Sequence, residues 1–500
     1  MLLFVRKHWR WFGVSLALGL ALRLYFIFRY PLFMGDSLVY GDIAANWVRH
    51  GIYGFSELGE IRPTLVRLPG YPGFLALCFK LFGVEHYHAV MFVQAGADLV
   101  TAFVLAATAW EVLPASGLRG RATLTAFAVY CLFPYTANFV ATPLSETMTL
   151  FALSWALLFA VRGVKRGKTA DWIGCGIACA WAVVLRPDGG LVLISIFGYL
   201  GWRWWRGRRG DSEHRVSVRD RAGARWVGED ADPPGQGLRM VSCTRGLLRP
   251  VLILGGCTVL ALAPWTVRNY RTFRVVQPLA PGNATDPGEF YDRGFADWVG
   301  TWLAEFISVE EIGWSVPGDG VDASRLPARA FDSAAQREQT FALFAEYNKD
   351  FVLTPEMDAQ FEQLARERKR AHPWRQYVEL PVRRVADMWL RPRTGMLPLD
   401  IYWWNYEDHP AETIFAAAYM ALGVVFLLLA VYGYRVARGH GGSGLGLLTS
   451  YIVLRTLFLL TVPTAEPRYT IECWPMVLVL ASLGIAGLRG KGPPRNVEKR

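Results

Sequence analysis

The chain has 500 residues, of which 53% are apolar or aromatic, 14% aromatic and 19% charged, with a formal net charge of +11. A soluble domain carries about a quarter of its residues as charges, so a string of soluble domains is excluded. Nucleic acid is not called for either: no RNA- or DNA-binding motif is present, and the cations lie between long apolar runs.

Those runs predict an all-α polytopic membrane protein. About ten transmembrane helices are expected, at 12–30, 88–112, 122–139, 143–161, 170–186, 189–205, 249–267, 411–434, 445–462 and 470–488. Each is near the length that crosses about 30 Å of hydrocarbon at about 1.5 Å per residue. The first run has a basic start (Arg6, Lys7, Arg10), but no small-residue cleavage site follows and Arg23 interrupts it, so it reads as a retained helix. Arg23 costs about 2.5–3.5 kcal/mol in lipid on insertion scales and is expected to face the bundle interior. The stretch 69–83 is apolar but short, which predicts an interfacial or re-entrant segment. Residues 206–248 are rich in Arg, Gly, Asp and Pro, the composition of an unstructured connection.

Residues 268–410 differ. Aromatics recur at helical spacing in 295–306, 339–351 and 355–371. Between 374 and 390, Tyr377, Leu380, Val385, Met388 and Trp389 oppose Arg383, Arg384 and Asp387, which predicts an amphipathic helix along the membrane surface. Three parts follow: a transmembrane module over 1–267 with an outer loop at 31–87, an outer helical region over 268–410, and C-terminal transmembrane helices with a basic tail over 411–500. The seven cysteines (78, 131, 175, 179, 243, 257 and 473) show no zinc or redox spacing and fit buried apolar positions. The sequon Asn283-Ala-Thr285 is assigned no role.

Lys and Arg set the orientation. They crowd the N-terminus, the connections at 119–121, 162–168, 203–209 and 435–438, and the tail, while the alternate connections are nearly bare. Both termini are then expected in the cytoplasm, with loops 31–87 and 268–410 outside.

On this topology one side of the membrane collects the strongly polar residues. They are Asp36 in Phe33-Met34-Gly35-Asp36-Ser37, Asp42, Arg67 before Pro69-Gly70-Tyr71-Pro72, Glu146 in Pro143-Leu144-Ser145-Glu146, Arg186 before Pro187, Arg268-Asn269, and Arg468-Tyr469. Carboxylates and arginines around one outer cavity can bind a phosphate and activate a hydroxyl. Arg clamps phosphate in a fork, and a carboxylate takes the proton of the attacking group. Each residue also has a plainer role. Asp36 can cap a helix starting at Ser37, Asp42 can lie on an exposed face, Glu146 can complement a helix dipole, and the arginines can reach headgroups.

Gly35-Asp36 after the first span, Tyr40, and the Arg67-x-Pro69-Gly70-Tyr71-Pro72 stretch resemble integral-membrane glycosyltransferases of the GT-C class. The likeness is to the family 39/83 proteins, whose domain is like that of dolichyl-phosphate-mannose-protein mannosyltransferases, and more distantly to lipid A aminoarabinose transferases. Pro143-Leu144-Ser145-Glu146, Leu185-Arg186-Pro187, Pro264-Trp265-Thr266-Val267-Arg268-Asn269 and Arg468-Tyr469 follow in that family's order. The resemblance implies a polyprenyl-phosphate sugar donor, a lipid, glycan or protein hydroxyl acceptor, and inverting transfer at the periplasmic face of the inner membrane. Asp36 would be the general base, Glu146 the second acid, and Arg268 and Arg468 the phosphate clamp. Asp42, Arg67, Tyr71, Arg186, Asn269 and Tyr469 would line the substrate. Gly35-Asp36-Ser37 lacks the Asp-Glu pair of protein mannosyltransferases, which weighs against a protein acceptor. The family is divided on a divalent metal, and His86, His88, His372 and His409 form no ligand set, so no metal or other cofactor is assigned.

Two rival readings stand beside this one: a polyprenyl-linked sugar or lipid transporter, and a non-catalytic envelope assembly protein. The transporter is disfavoured by the one-sided charges and by the lack of an inverted repeat.

Overall fold

The structure is a computed structural model. It describes residues 1–33, 35–222, 236–282 and 284–488, without side chains for 207–246. Met34, Asn283 of the sequon, Cys243 and the basic tail from Arg489 lie outside this description.

The described residues are 74% helical, with one two-stranded hairpin among them at Gly54–Glu57 and Glu60–Pro63. Among the described residues six helices are long and apolar enough to cross a membrane: Trp9–Arg29 (α1), Tyr87–Val112 (α4), Ser145–Arg166 (α6), the Leu247–Phe273 part of Gln236–Phe273 (α9), Pro410–Gly439 (α14), and Pro467–Leu488, whose α-helical part is Trp474–Leu488 (α16). Gly117–Leu132 (α5) and Pro134–Ala141 form a seventh crossing if their 47° bend is one broken span. The other expected spans fall on Thr169–Leu185 (α7), Leu191–Ala222 (α8) and Leu445–Leu459 (α15). All ten expected runs are therefore helical, and among the described residues length and composition alone support six or seven of them as crossings. Prolines explain part of the shortfall. Phe133 before Pro134 and Arg186 before Pro187 are both pushed to extended backbone, which bends one run and stops another.

Asp36–His50 (α2) and Gly70–Phe82 (α3) pack together outside the long helices. The expected unstructured connection at 206–248 is entered from both sides by α8 and α9, and 223–235 lies outside the described residues.

Arg23 is fully buried between three helices. Its Nε and Nη2 donate to Asp98 Oδ2 of α4 at 2.7 and 2.5 Å, and its Nη1 donates to the Cys131 carbonyl of α5 at 2.6 Å. Tyr130 OH completes the acid's shell at 2.6 Å. The cost of an arginine in lipid is thus met by a structural acid.

The outer region has its own core. Arg293–Val299 (α10), Ala334–Tyr347 (α11) and Pro355–Ala371 (α12) bury Phe295, Trp298, Trp302, Phe344, Tyr347 and Phe361 together. Leu380–Leu390 (α13) differs from expectation. It turns Leu380, Arg384 and Met388 inward, so Arg384 lies on the buried face. Its guanidinium donates to the carbonyls of Leu303 and Gly300, where the helix containing Trp298 has ended and its carbonyls need donors. Tyr377 and Val382 face outward instead.

Candidate active site

The chain leaves α1 at Tyr30 and turns at Gly35, which has φ +53°, a region only glycine enters at no cost. Gly35 is thereby the cap of α2, and Asp36 is the first helical residue, where the helix dipole favours a negative charge. Asp36 does not cap its own helix. Its Oδ1 accepts from Arg67 Nη2 at 2.7 Å, and its Oδ2 accepts from Arg468 Nη2 at 3.2 Å. Burial pushes the carboxyl up, but Arg67 and Arg468 outweigh it and hold Asp36 below the usual carboxylate range.

Arg67 is fixed by its surroundings. Tyr53 OH donates to its carbonyl at 2.8 Å, and its guanidinium lies 5.8 Å from the Tyr40 ring. Just beyond it, a Cβ on Gly70 would lie 2.5 Å from the Val184 carbonyl oxygen, so only glycine lets α3 start against α7. Tyr71 packs edge-on to Tyr40 and donates to Gln94 Oε1 at 2.7 Å. It is fully buried and supports Tyr40 from behind.

A second tier stands behind Asp36. Glu146, in the first turn of α6, accepts from Arg186 Nη1 at 3.0 Å and lies 4.0 Å from Arg468 Nε. Arg186 also reaches Asp188 at 3.1 Å and Glu472 at 3.3 Å. Arg455 joins the same two acids at 3.0 and 2.7 Å, and its Nε holds the Tyr469 carbonyl at 2.8 Å. Arg468 Nε is also in ion-pair contact with Glu466. The ion pairs therefore form one continuous network running from Arg67 and Asp36 to Arg455.

Asp36, Arg468 and Glu466 line a cavity of about 480 Å³. Residues of the 391–401 stretch line it as well, with Phe306 and Trp314. Arg393 stands in this wall and is 6% exposed. It donates to the carbonyls of Pro467 (2.6 Å) and Met388 (3.2 Å) and to Thr470 Oγ1 (2.5 Å). Among the described residues no carboxylate pairs with it. Burial pushes its guanidinium down to about 10, still well charged at neutral pH.

Of the residues singled out in the sequence, Asp36, Arg67, Glu146, Arg186 and Arg468 meet in the network. Glu146 and Arg186 stand behind the cavity wall rather than in it. Tyr469 contributes its carbonyl, with its ring 5.9 Å from the Arg468 guanidinium. Three residues are not brought there. Asp42 accepts from Ser56 N and Ser56 Oγ, both at 2.7 Å, and pins the hairpin to α2. Arg268 donates to the carbonyls of Thr64 at 2.6 Å and Tyr53 at 2.7 Å, stacks on Trp265, and borders a separate pocket. Asn269 accepts from Arg268 and donates to the Gln277 carbonyl at 2.8 Å. These groups fasten the 31–87 loop to the end of α9.

Residues 66–212 match the family model of dolichyl-phosphate-mannose-protein mannosyltransferases. The matched mannosyltransferase segment contains Arg67, Tyr71, Glu146 and Arg186, while Asp36 and Arg468 flank it. No curated protein matches the chain at a significant level. Among solved structures, the oligosaccharyltransferase AglB from Archaeoglobus fulgidus, in complex with an inhibitory peptide and a dolichol-phosphate, aligns with 97% of this chain and 51% of its own, at 11% identity and a TM-score of 0.44. The apo form of the Archaeoglobus fulgidus enzyme aligns with 96% of this chain and 50% of its own, at 12% identity and a TM-score of 0.47. ArnT from Cupriavidus metallidurans bound to undecaprenyl phosphate aligns with 95% of this chain and 78% of its own, at 13% identity and a TM-score of 0.32. The chain spans about half the length of the archaeal enzyme.

Sequence reasoning passed over Asp188, Arg393, Arg455, Glu466 and Glu472. Arg455 and Glu472 each interrupt an apolar run, the same signal that singled out Arg23. Among the described residues no group of three or more His, Cys, Asp or Glu side chains is placed to hold a metal.

Proposed function

We propose that the chain transfers a sugar from a polyprenyl-phosphate donor to a hydroxyl acceptor at the outer face of the membrane, with inversion. One observation carries this reading: a carboxylate held by two arginines and a buried arginine with no carboxylate partner among the described residues line the same cavity. A buried cation met only by neutral oxygens favours an anion, and a phosphate at the membrane boundary supplies one. Arg393 and Arg468 hold the phosphate, and the polyprenyl tail stays in lipid. The acceptor oxygen attacks the anomeric carbon from the face opposite the phosphate. The acceptor C–O bond forms, the bond to the phosphate oxygen breaks, the electron pair leaves on the phosphate, and the hydroxyl proton passes to Asp36. Phosphate also competes with Asp36 for Arg468. Losing that counter-charge makes Asp36 a stronger base once the donor has arrived. The matched mannosyltransferase segment supports the reaction class. The basic connections support cytoplasmic termini in an inner membrane, with this cavity on the periplasmic side.

The test uses the purified full chain with a panel of undecaprenyl-phosphate sugars and follows release of undecaprenyl phosphate. At least one donor should turn over, and Asp36→Asn should abolish release while keeping donor affinity. Equal release by Asp36→Asn would remove Asp36 as the base. Movement of intact lipid-linked sugar across a vesicle without release would establish the transporter instead.

A further inference from the structure

Glu466 has no part in the reaction just described, yet it is built into the cavity wall. It lies in the turn between α15 and α16 and is 3% exposed. Its Oε1 touches Arg468 Nε, and its Oε2 is buried with no hydrogen-bond partner. Glu146, on the far side of the same Nε, also has a buried Oε2 without a partner. Arg468 thus serves three carboxyls: Asp36, Glu146 and Glu466. The other two have a second guanidinium, since Arg67 holds Asp36 and Arg186 holds Glu146. Among the described residues Glu466 has none. Arg391 and Arg393 line the same cavity, and neither pairs with it. Tyr469 faces it from the same segment and brings no positive charge.

A buried carboxylate with one shared counter-charge cannot stay ionised once that charge is taken away. Phosphate binding takes it away. On the reading proposed above, transfer also turns a phosphodiester with one charge into a phosphate monoester with up to two, and frees a hydroxyl proton. We propose that Glu466 is the proton store of this site: it yields Arg468 to the lipid phosphate, takes up a proton in exchange, and returns it when the phosphate leaves. Burial already pushes its carboxyl up to about 7, with Glu146 and Asp36 adding to the rise and Arg468 opposing it. A modest change of partner at neutral pH is therefore enough to load it.

The experiment is calorimetric binding of undecaprenyl phosphate to the full chain, in buffers of low and high ionisation enthalpy, from pH 6.5 to 8.5. The wild type should take up more protons on binding than Glu466→Gln does, the excess being a fraction at pH 6.5 and approaching one above about pH 8, where its affinity should fall up to about tenfold per pH unit relative to that variant. The ligand's own second ionisation is common to both proteins and cancels in the comparison. Glu466→Asp, with a shorter reach, should keep the uptake and move its midpoint, and it serves as the readout if the Gln variant does not fold. Equal proton uptake in wild type and Glu466→Gln, or an unmoved midpoint in Glu466→Asp, overturns the proton store while leaving the donor reading intact. Absence of any binding by the folded wild type overturns both.

Discussion

Asp36 and Arg468 lie 432 positions apart in the chain and 3.2 Å apart in space. The contact joins the loop after α1 to the start of the Pro467–Leu488 segment, and Arg468 lines the cavity while Arg67 does not. Arg468→Gln should lower kcat/KM for the donor by about 10²–10³, the usual effect of removing one aimed charge from developing negative charge. Arg67→Gln should act mainly on kcat, through the placement of Asp36. Steady-state release of undecaprenyl phosphate separates the two. Equal effects on KM would show that both arginines meet the donor.

Arg393 and Arg268 make opposite predictions, although both are arginines at the edge of the apolar helices. Arg393→Gln should weaken donor binding by about 1.5–3 kcal/mol, the range for a hydrogen bond to a charged group, which is roughly 10- to 150-fold in affinity. Arg268→Gln should leave donor affinity alone and lower the unfolding temperature, because the Tyr53 and Thr64 carbonyls lose their donor at about 1–3 kcal/mol each. Binding and thermal unfolding measured on the same samples test the pair. A large affinity loss in Arg268→Gln would return it to the phosphate site.

Removing Arg23 strands Asp98 inside the bundle. Arg23→Leu should destabilise the protein by about 3–5 kcal/mol, and Arg23→Leu with Asp98→Leu should recover much of that, because an apolar pair needs no counter-charge. Denaturation in detergent micelles compares the single and double variants. A double variant no more stable than the single one would give the pair a further role.

Two acids of the cavity should respond to pH in opposite senses. The Glu466 carboxyl is raised from 4.5 to about 7 in the fold, so the folded chain binds its proton more tightly than the unfolded chain. Its stabilising contribution is complete below about pH 4.5 and is lost as pH rises through about 7. The unfolding temperature of the wild type should therefore fall between pH 6 and 8 relative to Glu466→Gln. Asp36 is lowered, so its contribution is present above its usual range and is lost on acidification below pH 4. Asp36→Asn should flatten that acid limb alone.

The helical spans were legible because long apolar runs need no partner to announce themselves. So were Asp36, Arg67, Glu146, Arg186 and Arg468, since each places a charge beside a proline or at the end of such a run. Arg268 carried the same local signal and is occupied by loop carbonyls instead. Sequence position says that a guanidinium sits at the boundary, but not which oxygens it meets there. Arg393 is one arginine among many in a polar loop, and only its burial sets it apart. Arg384 failed as a polar-face residue because a neighbouring helix ends against that face and its carbonyls need donors, which an amphipathic pattern does not encode.

The network needs Arg455, Glu466, Arg468 and Glu472 from the end of the chain to balance acids and arginines laid down hundreds of positions earlier. During synthesis Asp36, Glu146 and Arg186 enter the membrane before their partners exist. The network is thus complete only once the Pro467–Leu488 segment is in place. A product cut short before Glu466 leaves the early charges unmatched at the membrane boundary.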